Sequence, residues 1–387
     1  MNRYTKASAY FYTGPMESSS STRAGSTGRP GGSGTGGRRG RVTGADVARL
    51  AGVSTTAVSQ ALGGTGRISA ETSRRVLAAA DELGYAPDHA ARSLRLRRTG
   101  MLTMLIPQVD NPYYLEIFAG GQAAAAERGY AIDLFAVADA ATARAKLRQL
   151  GSGSSDGVVV TGEGGIGYLV EDLLQLRKRG VAVAVTQAAG PDPQIPGVRM
   201  DLEHGARLAV RHLAGLGHRR IAYVGNRADA AARARDPEHE GDGRWRGYRN
   251  ALAETGIDYD EALVYSADPT ARGGATCAAA LTAGPGPAPT AVFAFNDLTA
   301  LGILHGLAMA GVSVPAQMSV VGFDGIELGE FTVPALTTVA HPREELGRQA
   351  VTRLCDQLDD RPTAGQDYIL TPSLVVRGST GTAAVNR

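Results

Sequence analysis

Cysteine and tryptophan are almost missing from this chain: its 387 residues include two Cys, one Trp and only 5% aromatic side chains. Cys277 and Cys355 stand far apart and in no metal-ligand spacing, which excludes a disulfide-stapled scaffold and fits a reducing compartment. The seven His residues form no metal-binding cluster. His239 in a charged loop and His341 before a proline read as solvated or structural, so neither metal nor cofactor is expected. No apolar run is long enough to cross a bilayer, and the opening MNRYTKASAYFYTG lacks the apolar core of an export signal; the expected location is the cytoplasm. Motifs of catalysis are missing as well. There is no GxxxxGK(S/T), HExxH or GxSxG, and GEGGIG at 162–167 misplaces the glycines of a dinucleotide loop.

What is present is an ordinary core-forming composition, 43% hydrophobic and 20% charged, in a length that admits two or three domains. The charge is uneven. Residues 1–100 hold 15 Lys+Arg against 6 Asp+Glu, a net of +9, and the rest holds 25 against 32, a net of −7, within the overall +2. A basic front on an acidic body suits a polyanion partner for the front alone. Gly and Ser crowd residues 1–40, as in SSSSTRAGSTGRPGGSGTGGRRG, and a tail so polar is expected to be disordered.

Residues 41–86 read as a compact helical unit. Thr43 caps a helix with Val47, Leu50 and Ala51 on its inner face, and Gly52 breaks it. Ser54 then caps a second helix with Ala57, Val58, Ala61 and Leu62 inward. Ser69 opens a capping box left incomplete by Thr72, and a third helix spaces Val76, Leu77, Ala80 and Leu83 up to Gly84. Two helices joined by a tight glycine turn predict helix-turn-helix geometry, in which the start of the second helix meets base edges in the major groove. Short hydroxyl side chains at Ser54, Thr55 and Thr56 suit that place, where a helix N-terminus already favours anions. A plain helix hairpin with a Ser cap is the alternative. Residues 87–99 predict a hinge helix and linker, with a short Arg-rich helix from Asp88 to about Leu96 that is marginal alone.

From residue 101 onward strands and helices alternate. MLTMLIP, AIDLFAV, GVVVT and VAVAV form one series; after Met200 and Asp201 a second begins with RIAYVG, ALVYS, TAVFAF and SVVGFD. Continuous apolar strands between amphipathic helices predict parallel sheets covered on both faces. The expected fold is therefore an N-terminal all-α helix-turn-helix head plus a two-lobed α/β body over 100–380. Lobe 1 is placed at about 100–200 and 342–360, lobe 2 at about 201–341 and 361–378, with YILTPSLVV as a single returning strand. The charged stretch 228–243 has no reading.

The run VTGADVARLAGVSTTAVSQALGG, the hinge, and then IPQVDNPYY, HLAGLGHRRIAYVG, RWRGYRNAL, AVFAFNDLTALGILHGL and VPAQMSVVGFDGIELGEFTVPALTTVAHP closely resemble the LacI/GalR (lactose/galactose repressor) family, over residues 42–378. The resemblance implies a homodimeric transcription regulator, a repressor, that binds a pseudo-palindromic operator duplex. It also implies a body like a periplasmic sugar-binding protein, holding a small-molecule effector, a sugar or related metabolite, between its lobes. Thr55, Thr56 and Gln60 match base-reading positions, and Ser54 and Ser59 match phosphate contacts. Leu94 matches the leucine wedged into the central base step, with Ala91 and Arg92 as its groove-facing neighbours. The family usually has Arg where this chain has Gln60; Gln favours adenine and Arg guanine, so the operator should differ there. Asp88 stands where Asn is common.

The cleft positions matched are Tyr113, Tyr114, Arg244 and Asp297, with Asp201 and Asp324 second in rank. A carboxylate, a guanidinium and aromatic faces together suit a small polar ligand. Each has a plainer alternative: Asp297 as a helix cap, Arg244 in a surface ion pair, the tyrosines as packing. The loop ADPTARGG lacks the aromatic residue many relatives carry. Two other functions stand as alternatives, a solute-binding protein without a DNA role, for which residues 42–98 have no use, and an α/β metabolic enzyme.

Overall fold

The computed structural model describes residues 42–63, 68–85, 98–137, 139–162, 169–235, 242–283, 286–361 and 367–383. The expected tail at 1–40 and the hinge positions Asp88, Ala91, Arg92 and Leu94 lie outside the described residues. The chain forms two units, Met1–Pro87 and Asp88–Arg387.

The first unit has three helices, α1 (Gly44–Ala51), α2 (Thr55–Gly63) and α3 (Ala70–Leu83). Thr43 starts α1 by donating its N–H and its hydroxyl to Asp46 Oδ2, at 3.0 and 2.7 Å. Gly52, at φ 63°, ends it in the left-handed region that costs glycine least. Ser54 Oγ accepts the Ala57 N–H at 3.2 Å, and Ser69 Oγ accepts the Thr72 N–H at 3.1 Å. The core is built from Val47, Ala48, Ala51, Val58, Val76, Ala79 and Ala80. Leu50 and Leu77, expected inside, are each 47% exposed. Alanines let the short helices approach closely, and the bulkier leucines are left at the rim.

The second unit carries two six-stranded sheets. In the first, β1 (Met101–Ile106), β2 (Ala131–Ala136), β3 (Gly157–Thr161), β4 (Ala182–Thr186), β5 (Gly197–Met200) and β11 (Asp367–Leu370) run in the order β11-β5-β4-β3-β1-β2, all parallel. In the second, β6 (Ile221–Asn226), β7 (Val264–Ala267), β8 (Ala291–Ala294), β9 (Ser319–Asp324), β10 (Thr337–Ala340) and β12 (Ser373–Val375) run in the order β12-β10-β9-β8-β6-β7. Only β12 is antiparallel to its neighbour. Helices α4 (Pro112–Glu127), α5 (Ala140–Leu150), α6 (Val170–Lys178) and α12 (Arg343–Leu358) cover the first sheet. Helices α7 (Leu202–Gly215), α9 (Gly243–Glu254), α10 (Ala271–Ala283) and α11 (Asp297–Met309) cover the second, and α8 (Arg227–Arg235) follows β6. Each sheet has an apolar cluster on both faces, as its continuous Val/Ile/Ala strands require. The crossing helix α12 lies tight against α4, since a Cβ on Gly120 would stand 1.9 Å from the Glu344 carbonyl oxygen.

The lobe boundary differs from expectation in one place. Residues 367–370, expected in lobe 2, pair with β5 in lobe 1, and only β12 joins lobe 2. YILTPSLVV is thus two strands parted at Thr371 and Pro372, because proline has no N–H to continue a ladder. The chain crosses between lobes three times: after Met200, after Ala340 and after Leu370. The stretch 228–243, for which the sequence offers no reading, begins in α8.

Candidate functional site

The start of α2 is the first candidate. Ser54, Thr55 and Thr56 are exposed, while Ser59 and Gln60 are half-buried. Thr55, Thr56, Ser59 and Gln60 fall one helical turn apart and share the face opposite Val58. Ser54 uses one lone pair as a cap and keeps its hydroxyl proton for another acceptor. One residue escapes the sequence reading. Arg75 on α3 donates Nη2 to the Ala51 carbonyl, and at 3.5 Å to that of Gly52, clamping the turn that aims α2. One of two adjacent arginines, Arg74 and Arg75, among surface charges gives no local signal of such a clamp.

The second candidate lies in the body, at the C-terminal ends of its strands, where open α/β sheets bind ligands. Arg244, at the start of α9, is 3% exposed. Its Nη1 donates to Asp242 Oδ2 at 3.1 Å, its Nη2 stands 3.9 Å from Asp324 Oδ1, and its guanidinium lies 4.9 Å from the Phe323 ring centre. Asp324 ends β9 at φ 122°, a conformation side chains disfavour. His341, on the crossing after β10, packs edge-on against Phe323 with centroids 4.8 Å apart. Its Nδ1 shares a 3.1 Å hydrogen bond with the Tyr113 hydroxyl of α4, which also accepts from Gln187 Nε2. Burial, then the charges of Arg244 and Arg343, push the His341 imidazole well below its ordinary value, so it is neutral near pH 7. Tyr113 therefore joins lobe 1 to the crossing, and Tyr114 packs edge-on beside it at 5.4 Å.

Asp297, expected in the cleft, is fully buried inside lobe 2. Its Oδ2 accepts the Ile326 N–H at 2.8 Å and its Oδ1 accepts the Thr338 hydroxyl at 2.6 Å. Burial raises its carboxyl to about 6, against the pull of those hydrogen bonds. It is not the cap of α11 either; Asn296 is. Asp201 caps α7 through the His204 N–H at 2.9 Å. The carboxylates beside Arg244 are thus Asp242, which the sequence does not single out, and Asp324, which it places second. Further polar groups at this edge carry no signal in the sequence. Thr161 and Thr186, register partners at the ends of β3 and β4, have buried hydroxyls without a hydrogen bond among the described residues, as does His341 Nε2.

A cavity of about 570 Å³ lies elsewhere, lined by Arg98, Thr99, Asp156 and Arg179 among others. It sits at the opposite edge of the lobe 1 sheet, where β1, β3 and β4 begin, and shares no residue with the Arg244 cluster. No group of three or more metal-ligating side chains is found among the described residues, and no helix there is long and apolar enough to cross a membrane.

Residues 44–88 match the family "Bacterial regulatory proteins, lacI family", and residues 210–380 match the periplasmic binding protein-like domain. The HTH-type transcriptional repressor PurR of Photobacterium profundum is 31% identical over 337 residues, spanning 86% of this chain and 97% of that protein. The lac repressor dimer bound to operator and the anti-inducer ONPF is similar in structure, with a TM-score of 0.74, 25% identity, and coverage of 88% of this chain and 99% of the other. A complex of the transcriptional regulator CelR with cellobiose gives a TM-score of 0.63 at 30% identity, covering 88% of this chain and 100% of that one.

Proposed function

Because this chain belongs to the lacI family of bacterial regulatory proteins, we propose that its body holds a neutral, sugar-like effector beside Arg244 and Asp324 and thereby sets the grip of its head on operator DNA. The chain is a DNA-binding transcriptional regulator; the choice of residues and ligand is our reading. Thr55, Thr56 and Gln60 read bases, and Ser54 and Ser59 meet phosphates. Ala91, Arg92 and Leu94 enter the minor groove of a palindromic site bound by a homodimer in the cytoplasm. In the body, Arg244, Asp324, Tyr113 and Tyr114 face the ligand, with Thr161, Thr186 and His341 as further hydrogen-bonding groups. Asp297 holds the turn that presents Asp324.

The observation that carries this reading is the Arg244 guanidinium, buried between two carboxylates and against an aromatic ring. Two carboxylates outweigh one guanidinium, so a phosphorylated ligand meets net repulsion while a polyol finds charged donors and acceptors. The one hydroxyl paired with a base, Tyr113 on His341, is buried and also accepts from Gln187, and no turnover is expected. Selecting duplexes from a random pool with the full chain, then repeating the binding with D-ribose, cellobiose, guanine and glucose 6-phosphate, tests both halves. A palindrome should be enriched, and a neutral compound should change its affinity. Absence of any sequence preference would refute the DNA half; a response to the phosphate alone would refute the ligand half.

A further inference from the structure

Arg343 opens α12 and reaches in two directions. Its Nε donates at 2.6 Å to the carboxylate of Glu116 on α4, the lobe 1 helix that carries Tyr113 and Tyr114. Its Nη1 donates to the backbone carbonyl of Asp324 in lobe 2. That same carbonyl accepts the His341 N–H at 3.2 Å, and two residues on the Ile326 N–H is held by Asp297 at 2.8 Å. Asp324 at φ 122° makes this an unfavourable turn, which Gly325 at φ 76° continues without strain of its own. Such a conformation persists only where its surroundings over-determine it. Here one of the holding groups is anchored on the other lobe.

We propose that Arg343 is a positioning residue of the effector cleft. By bridging Glu116 and the Asp324 carbonyl, it makes the placement of the tyrosine-bearing helix and of the Asp324 carboxylate one equilibrium. A ligand that orders either wall then orders both, which is how occupancy between the lobes becomes a change in lobe arrangement. The planar guanidinium suits this task, because it presents donors in two fixed directions at once, whereas an ammonium is a point charge on a flexible stem. The inference rests on reading the cleft as the effector site.

Hydrogen exchange on the full chain without ligand tests it, using Glu116→Ala, Arg343→Met and Arg343→Lys. Glu116→Ala removes no atom from the 324–326 turn. Even so, exchange at Gly325 and Ile326 should quicken about tenfold, within the range of coupling residues. Arg343→Met should quicken exchange both there and at 115–118, while Arg343→Lys should retain protection at one of the two places. Amides of β3 serve as the internal reference and should not change. If Glu116→Ala leaves 325–326 as protected as before, the bridge between lobes is overturned and Arg343 is a local brace. Should the two walls prove coupled while none of the ribose, cellobiose, guanine and glucose 6-phosphate probes shifts the melting of the unaltered protein, the bridge stands and the effector reading falls.

Discussion

At the start of α2 the residues that meet the outside are short, uncharged and exposed: Ser54, Thr55 and Thr56. In the cleft the arrangement is reversed. Arg244, Asp324, His341 and Tyr113 are each at most 4% exposed, and two of them are ionic. An exposed hydroxyl can be changed with little harm to the fold, so the head is free to vary what it reads. A buried charge is tied to its partners, so the cleft cannot change one residue without disturbing the others.

The contrast is broken most readily at Arg244. Arg244→Ala takes the guanidinium from between Asp242, which still accepts the Trp245 N–H, and the buried Asp324 carboxylate, and loss of one partner from a buried pair costs about 3–5 kcal/mol. Urea unfolding should show that loss, together with loss of any ligand response. A cost of less than about 1 kcal/mol, the size of an exposed ion pair, would mean the cluster is solvated and the comparison is mistaken.

Asp297 sharpens the same point through pH. Its carboxyl ionises at about 6 in the fold against an ordinary 3.8, so between those values the folded chain holds a proton that the unfolded chain has lost. Its contribution is fully favourable below the unfolded value and is lost as pH rises through 6. Half-buried His212 and buried His218 and His341 act in the opposite sense: burial lowers each below 6.5, and their contribution is lost as pH falls. Asp297→Asn removes only the first slope. Between pH 7 and pH 4 the variant should therefore lose about 2 kcal/mol relative to the unaltered protein, most of what a shift of about two pKa units represents. A difference independent of pH would show that Asp297 is not buried as a charge.

These two residues also mark how far sequence alone reaches. The runs GVVVT and VAVAV form β3 and β4, and the Gly52 and Ser54 punctuation forms the turn and the cap, because each is decided by neighbours within a few positions. Sequence does not show that Asp297 is held by Thr338, 41 positions away, and it overlooks Arg343 because Glu116 is 227 positions away. YILTPSLVV reads as one strand since periodicity does not say to which sheet a strand belongs. Leu50 and Leu77 sit on the right helices but at the rim, a matter of how closely alanines let those helices approach.

Smaller effects are expected in the head. Gln60→Ala should cost about 1–3 kcal/mol on a selected palindrome, the size of a bidentate base contact, and nothing on random duplex. Quantitative binding at one fixed salt concentration separates the two. Equal losses on both duplexes would turn Gln60 into a backbone contact and make the head's surface less of a reader than its exposure suggests.

The finest division concerns Ser54, whose one hydroxyl serves the fold as a cap and is free to serve DNA as a donor. Ser54→Ala removes both, and should lower the head's stability by about 1 kcal/mol, the usual contribution of an N-cap. Ser54→Asp restores the cap, because a carboxylate accepts the Ala57 N–H and complements the positive end of the helix. It also brings a negative charge to where a phosphate would lie. Thermal unfolding of the Asp variant should therefore match that of the unaltered protein while its binding weakens on every duplex alike. If instead its DNA affinity is undiminished, Ser54 is only a cap, and the residue that holds the head's fold is separate from those that meet the operator.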